Sequence, residues 1–472
     1  MRVRAAPCFR DIGMTISEHA GKRTRPSPKT LQKSMNRSKR WTRAINRTLL
    51  ALEGAVTGLA CACVICAFRL ARDSASPLIM QWLSGWKQHW WVMPLWLLTL
   101  ILAARFLGHL VKRTPLISGS GIPQTELIVQ GRLHISRHDW LRILPSKFVG
   151  CLVSTLGGLS LGREGPCIQM GAATSALLTG LWERFSTSGH IHIAAGAAAG
   201  MTAAFGAPVA GLLFVFEEMK SRFTRGGFLA VGCAVTTAAL ATRYIFRFGL
   251  IFPFQNIQAL PLGSIWLLPV MGVVMGAAGV LYNKALLGTK NAEALHTPLS
   301  QNWRILPPML VAFVLAFTVP AVLGGGEDLV GSLIRIDDAP RQALLLLLPL
   351  ALLKIAFSLF SYTGNVPGGI LMPMLCIGAL LGALCGQALN YAAILPPETW
   401  QTFILYGMVG FFVSLVRAPL TGTALVMEMS GAFSCLPQAV VVAFIASWTA
   451  NALRCPPVYD SLRAAIVVSR KK

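Results

Sequence analysis

The sequence predicts an all-α membrane protein built from two related halves. Three observations carry this: an apolar composition, long apolar runs without alternation, and an internal repeat. Hydrophobic residues make up 54% of the chain and charged residues only 13%, whereas a soluble domain carries about 25% charged residues. Runs such as 342–353, QALLLLLPLALL, show no alternation of polar and apolar positions. A closed β-barrel is the other architecture that satisfies its backbone in lipid, and it requires that alternation. The repeat appears when 196–217 is laid on 407–428 at an offset of 211 (428 minus 217). The two stretches share their leading glycine, Ala207/Ala418, Pro208/Pro419, Gly211/Gly422 and Glu217/Glu428. Upstream, Pro166 answers Pro373 at an offset of 207 (373 minus 166). Matched broken segments in two halves mark a repeat-built transporter whose substrate sits where the repeats meet, near the bilayer midplane. The pattern itself does not say whether the halves are inverted.

Residues 1–48 hold thirteen Lys and Arg against Asp11 and Glu18, in a chain of net charge +24. A basic tail can bind nucleic acid or anionic lipid. This one runs directly into the first apolar stretch, so the positive-inside rule places it in the cytoplasm. It is expected to be a disordered tail. No secretory signal fits, because the apolar run begins too late. The clearest spans are 49–70, 91–111, 190–218, 227–246, 264–286, 304–323, 342–360 and 402–416. Shorter runs interrupted by Gly or Pro lie at 117–129, 164–181, 369–389 and 419–428. Irregular backbone at membrane depth survives only where protein covers it or where it lines a cavity. The organisation expected is the tail, a first membrane repeat at 49–250 and a second at 251–468, with no C-terminal regulatory domain.

Eleven cysteines form no disulfide framework. Cys61, Cys63 and Cys66 give a C-x-C-x-x-C pattern that a soft metal could use, but no histidine is close in sequence. They read as small residues filling a membrane helix, and neither metal nor cofactor is expected. The eight histidines lie outside or near the ends of apolar runs and read as loop residues.

Three glycine-rich segments each precede an apolar run: Gly119-Ser120-Gly121-Ile122-Pro123, Gly162-Arg163-Glu164-Gly165-Pro166 and Gly368-Gly369-Ile370-Leu371-Met372-Pro373. Each ends in a proline suited to the first turn of a helix. The first four N–H groups of a helix lack internal partners, and its dipole adds roughly half a positive charge there. Several such ends converging make an anion site without a full buried cation. Partial charges suit conduction, which needs binding strong enough to enter and weak enough to leave.

Together and in this order, these motifs resemble the signatures of the CLC family of chloride channels and proton/chloride exchangers. The resemblance covers about residues 50–468. It implies a fold of two inverted-topology helical repeats with broken and tilted helices, assembled as a homodimer with one pore per subunit. Chloride-binding residues would fall at Ser120 and at Tyr459 of PPVYDSL, completed by the backbone N–H groups of Ile370 and Leu371. The family usually has Phe at the position of Leu371. Glu164 would be the external gating glutamate and Glu218 the internal proton-transfer acid. An acid at Glu218 favours an exchanger, moving two chlorides per proton, over a passive voltage- or pH-gated chloride channel of the same fold. Glu126 matches a further family acid with a structural role, and Glu217, repeated as Glu428, also reads as structural. Ser120 disfavours the fluoride-exporting branch.

The bland reading of Glu164 is a helix-start carboxylate paired with Arg163. For Glu218 it is a surface acid neutralised by Lys220, Arg222 or Arg225. An enzyme would need a nucleophile with a base, or a set such as H-E-x-x-H, and neither is present in the sequence. The partners expected are chloride, protons, the bilayer and a second copy of the chain, with no nucleic acid. The expected location is the bacterial inner membrane with both termini cytoplasmic.

Overall fold

The computed structural model describes residues 28–182, 189–220, 225–254, 257–296, 300, 302–335, 340–396 and 399–469. Two units divide between Thr48 and Leu49, and the site lies wholly in the second. The described helices are α1 (Pro28–Ser84), α2 (Val92–Arg113), α3 (Ile122–Val129), α4 (Arg137–Leu156), α5 (Glu164–Trp182), α6 (Gly189–Phe205), α7 (Pro208–Glu217), α8 (Arg225–Leu240), α9 (Leu267–His296), α10 (Leu306–Thr318), α11 (Glu327–Leu333), α12 (Pro340–Thr363), α13 (Leu371–Tyr391), α14 (Thr402–Val416), α15 (Pro419–Ser430), α16 (Leu436–Ala452) and α17 (Val458–Ser469). Strand-like pairing among the described residues is confined to two isolated bridges, Gly119 with Pro367 and Gly162 with Gly369.

Seven described helices are long and apolar enough to cross a bilayer, so the chain is an integral multi-pass membrane protein. Others are too short. At about 1.5 Å per residue, an eight-residue helix such as α3 covers about 12 Å of a hydrocarbon core of about 30 Å. These short helices are covered by protein. Every residue of α3 and of α14 is buried. The long helices show lipid on one side: on α12, Leu345, Leu346, Leu348 and Leu352 are exposed, while Ala343, Leu347, Ala351 and Lys354 face inward.

Several expectations are corrected. The run 190–218 is two helices, α6 and α7, broken at Gly206-Ala207-Pro208. Gly206 adopts a left-handed φ of 69°, and the residue before a proline is pushed out of the α region. The helices α4, α11, α16 and α17 add to the elements read from the sequence. The backbone is helical from Pro28, so the stretch expected as a disordered tail is helical over 28–48, where seven Lys and Arg, good helix formers, are spread among its residues. Residues 1–27 lie outside the described residues. His192 is a core residue rather than a loop residue. It is 3% exposed inside α6, its Nε2 3.2 Å from Glu53 of α1. The cysteine triplet does not converge: Cys61 Sγ donates to the Gly171 carbonyl, Cys66 Sγ lies 3.7 Å from Thr242 Oγ1, and Cys63 is exposed.

The two halves pair reciprocally, as an inverted repeat must. The Gly162 N–H donates to the Gly369 carbonyl (2.6 Å) and the Gly369 N–H to the Gly162 carbonyl (2.7 Å). Glu217 at the end of α7 accepts from the Leu420 and Thr421 N–H groups that start α15. Glu428 near the end of α15 accepts from the Val209 and Ala210 N–H groups that start α7. The two helices therefore run antiparallel, each capped by the other. The helix pairs α5–α6 and α13–α14 also match. In the first pair an added Cβ at Gly171 would meet the Gly196 carbonyl at 2.2 Å, and in the second a Cβ at Gly378 would meet the Gly407 carbonyl at 2.5 Å. Such close approach is how helices associate in lipid, where no hydrophobic force drives them together.

Candidate functional site

The three glycine-rich segments meet in the interior. The Gly119 N–H donates to the Val366 carbonyl (3.0 Å) and the Gly368 N–H to the Gly119 carbonyl (3.1 Å), while Gly162 and Gly369 exchange bonds. An added Cβ on Gly165 would lie 2.7 Å from both the Cβ and the carbonyl oxygen of Ser120, so the first two segments touch directly. Each segment delivers a helix start: α3 at Ile122, α5 at Glu164 and α13 at Leu371. Pro123, Pro166 and Pro373 sit in those first turns. Three sets of helix-start N–H groups and three positive dipole ends therefore open close together.

Ser120 is 2% exposed, and its hydroxyl oxygen accepts from the Ile122 N–H at 3.3 Å. Its hydroxyl also lies within hydrogen-bonding reach of Tyr362. Ile370 and Leu371 are buried at the start of α13. Tyr459, in the first turn of α17, is 1% exposed, and its hydroxyl has no hydrogen-bond partner among the described residues. It lies within electrostatic reach of both Glu164 and Glu218.

Glu164 is fully buried, and neither carboxylate oxygen has a hydrogen-bond partner among the described residues. One oxygen folds back over Gly162, where an added Cβ would lie 2.2 Å away. Only glycine fits there. Arg163 reaches it only at the limit of an ion pair: Arg163 Nη1 donates to Asp73 at 3.1 Å and its Nε lies 3.4 Å from Glu327, against 4.0 Å to Glu164. The helix-start ion pair is therefore the longest of the three Arg163 contacts.

Glu218 caps the C-terminus of α7 and is 6% exposed. It is not a surface acid. Nearby, Lys220 and Arg463 both bind Asp460, and Arg463 also pairs with the fully buried Glu126. Arg222 lies outside the described residues, and only the backbone of Arg225 is described.

The sequence reading missed two buried cations. Lys147 Nζ donates to the carbonyls of Ile117 and Gly119, and Lys354 Nζ to those of Val322 and Gly324. Each holds a turn with two left-handed glycines, Gly119 and Gly121 in one half, Gly324 and Gly326 in the other. Their separation, 354 minus 147, is 207, the spacing already visible between Pro166 and Pro373. Applied to charged residues, that offset finds them. Tyr362 was missed too, its hydroxyl 3.5 Å from the Cβ position of Gly119.

Comparison with known proteins identifies the family and the fold. The family described as Voltage gated chloride channel matches residues 103–451. The H(+)/Cl(-) exchange transporter ClcA of Salmonella typhi is 32% identical over 386 residues, covering 78% of this chain and 79% of that protein. The protein of the same name from Cronobacter sakazakii is 32% identical over 391 residues, covering 80% and 81%. A structure of a slow cyanobacterial Cl-/H+ antiporter superposes with a TM-score of 0.82 at 26% identity, covering 90% of this chain and 99% of that one. A CLC-type fluoride/proton antiporter, at 22% identity and a TM-score of 0.69 over 87% and 97% of the two chains, shares the fold.

Proposed function

This chain belongs to the Voltage gated chloride channel family, and from its site we propose that it exchanges chloride for protons, two chlorides per proton, with Glu164 as the gate. The observation that carries the proposal is the carboxylate of Glu164, fully buried at the start of α5 without a hydrogen-bond partner among the described residues. On the insertion scale, a charged side chain at membrane depth costs at least about 2.5–3.5 kcal/mol. A helix N-terminus returns about 0.3–2 kcal/mol per end, and three ends converge. The terms nearly balance, so no single bond locks the carboxylate in place. It can occupy an anion position, yield that position to chloride, or take a proton and swing away.

Chloride would be held by the Ser120 hydroxyl, the N–H groups of Ile370 and Leu371, and the Tyr459 hydroxyl. The motif residues Gly119, Gly121, Ile122, Pro123, Gly162, Arg163, Gly165, Pro166, Gly368, Gly369 and Pro373 would shape that path. Glu218 would receive the proton on the cytoplasmic side. Its burial beside Lys220, Asp460 and Glu217 supports a relay role. The hydroxyl of Ser120 supports chloride over fluoride. The protein would work without chemical catalysis, as a homodimer in the bacterial inner membrane with both termini cytoplasmic. Its halves would be 49–250 and 251–468.

The test is flux in liposomes of purified protein. An outward chloride gradient should drive protons uphill, and the reversal potential should shift with a pH gradient. Glu164→Ala should keep chloride flux and lose proton movement. Glu218→Gln should do the same. Undiminished proton pumping in Glu164→Ala refutes the gate, and a reversal potential blind to pH in the wild type makes the protein a passive channel.

A further inference from the structure

Arg163 and Glu164 are adjacent and opposite in charge, in a site with little water. There they would be expected to pair closely, because attraction between charges strengthens as the dielectric falls. Instead theirs is the longest of the Arg163 ion pairs. The Arg163 guanidinium is bound by Asp73 of α1 (3.1 Å) and Glu327 of α11 (3.4 Å), and its Nε stops 4.0 Å from Glu164. We infer that Asp73 and Glu327 are positioning residues for the exchange: together they hold Arg163 off the Glu164 carboxylate, leaving that carboxylate free to trade places with chloride and to take a proton. The inference rests on the reading of Glu164 as the gate.

The clamp is built, not incidental. Glu327 is the first residue of α11 and follows the turn of Gly324 and Gly326, with φ of 63° and 95°. Lys354 fixes that turn through the Gly324 carbonyl. Arg72 holds Glu327 from the far side at 2.6 Å and also reaches Asp73 at 3.2 Å. Two cations and two anions thus form a closed set in which Arg163 already has both its anionic partners. The remaining charged or titratable groups facing this set are Arg69 from α1, Cys151 from α4, Cys167 from α5, Lys354 from α12 and Tyr459 from α17. Arg69 is engaged elsewhere, donating to the Ala203 carbonyl at 2.9 Å and lying 3.8 Å over the Phe248 ring.

The sign of the effect follows. Removing the Glu327 charge frees Arg163 to approach Glu164 and also removes a neighbouring anion. Both changes favour the ionised gate. An opposite charge at contact distance moves a carboxylate's titration by about one unit or more. Chloride flux that rises as the gate protonates should therefore reach its midpoint at least about one pH unit lower in Glu327→Gln.

The experiment is chloride efflux from proteoliposomes as a function of pH for wild type, Glu327→Gln, Glu327→Asp, Asp73→Asn, Arg72→Gln and Glu164→Gln. Glu327→Gln should move the midpoint down, and Glu327→Asp should return it toward wild type. Asp73→Asn, altering a more exposed anchor, should move it down by less. Arg72→Gln removes a cation and should move it up. If Glu327→Gln does not fold, the opposed shifts of Asp73→Asn and Arg72→Gln decide the matter. Glu164→Gln should flatten the profile, and a wild-type profile there sinks the gate reading itself. A flat profile in Glu164→Gln, with unchanged midpoints in Glu327→Gln and Asp73→Asn, overturns the clamp alone. Flux lowered equally at every pH makes these residues structural and overturns it too.

Discussion

The crossed caps of α7 and α15 make a quantitative claim about how the halves hold together. Glu428 is half-buried, and its two oxygens accept from Val209 (3.0 Å) and Ala210 (2.8 Å), 219 and 218 positions away in sequence. A hydrogen bond to a charged group contributes about 1.5–3 kcal/mol, and a carboxylate at a helix N-terminus about 0.3–1 kcal/mol more. Glu428→Gln keeps one acceptor oxygen but loses the charge and turns an amide N–H₂ toward a donor. The expected loss is about 2 kcal/mol once the partial exposure of the site is allowed for. Glu217→Gln should cost the same, since its oxygens accept from Leu420 (3.1 Å) and Thr421 (2.7 Å) in the matching geometry. The two caps sit at opposite ends of an antiparallel pair. The ten residues of α7, at about 1.5 Å each, put them about 15 Å apart. Changes that far apart add, so the double variant should lose about 4 kcal/mol. Chemical unfolding in mixed micelles measures all three. A loss below about 0.5 kcal/mol in either single variant, the ordinary range for surface changes, refutes the capping argument. A double variant no worse than the singles refutes the independence of the caps.

Lys147→Met and Lys354→Met should each destabilise by about 1–3 kcal/mol, because each strands two buried carbonyls. Only Lys147→Met should also weaken chloride binding, by about tenfold or more in calorimetry, since it removes the cation that holds the segment carrying Ser120. Leu371→Phe should leave chloride affinity within about threefold, the contact being a backbone N–H, while costing about 1–3 kcal/mol of stability from overpacking a 1%-exposed position. Gly162→Ala should mimic loss of the gate, keeping chloride flux and losing proton coupling, because the new methyl would fall 2.2 Å from the Glu164 carboxylate oxygen. Intact coupling in that variant contradicts the placement of the carboxylate.

Much of this architecture was legible because lipid enforces simple rules. The apolar runs marked the spans, and the glycine-proline segments marked where helices begin inside the protein. The repeat gave more than was first drawn from it. It places Gly206-Ala207-Pro208 opposite Arg417-Ala418-Pro419 at the offset of 211, and the second triplet separates α14 from α15. The break between α6 and α7 follows from that match, although continuous hydropathy over 190–218 hides it. Other features were illegible for a physical reason. The charges at Arg72, Asp73 and Glu327 lie just beyond the apolar runs 49–70 and 304–323, and their meeting depends on α1 and α11 arriving together from 255 positions apart. His192 and Glu53 pair across 139 positions (192 minus 53). Local pattern reports a residue's own element, and only the tertiary arrangement reports which distant charge it faces.

The two halves match in geometry and differ in chemistry where ions would pass. Lys147 and Lys354 do the same work in each half, and Glu164 and Leu371, 207 positions apart, each open the equivalent helix. At that shared position one half offers a carboxylate and the other a leucine whose N–H is its polar group. Two carboxylates facing each other in so dry a place could not both stay ionised. Two leucines would leave no internal anion to compete with chloride. The turns before α3 and α11 diverge in the same way. The first half places Ser120 and then Ile122, and the second places Gly325 and then Glu327. One turn carries the hydroxyl proposed to bind chloride, and the other carries a carboxylate that occupies Arg163. On the proposed reading, symmetry would supply the ring of helix ends that accepts a small anion, and the departures from symmetry would make one of those anions the protein's own, the Glu164 carboxylate able to take a proton.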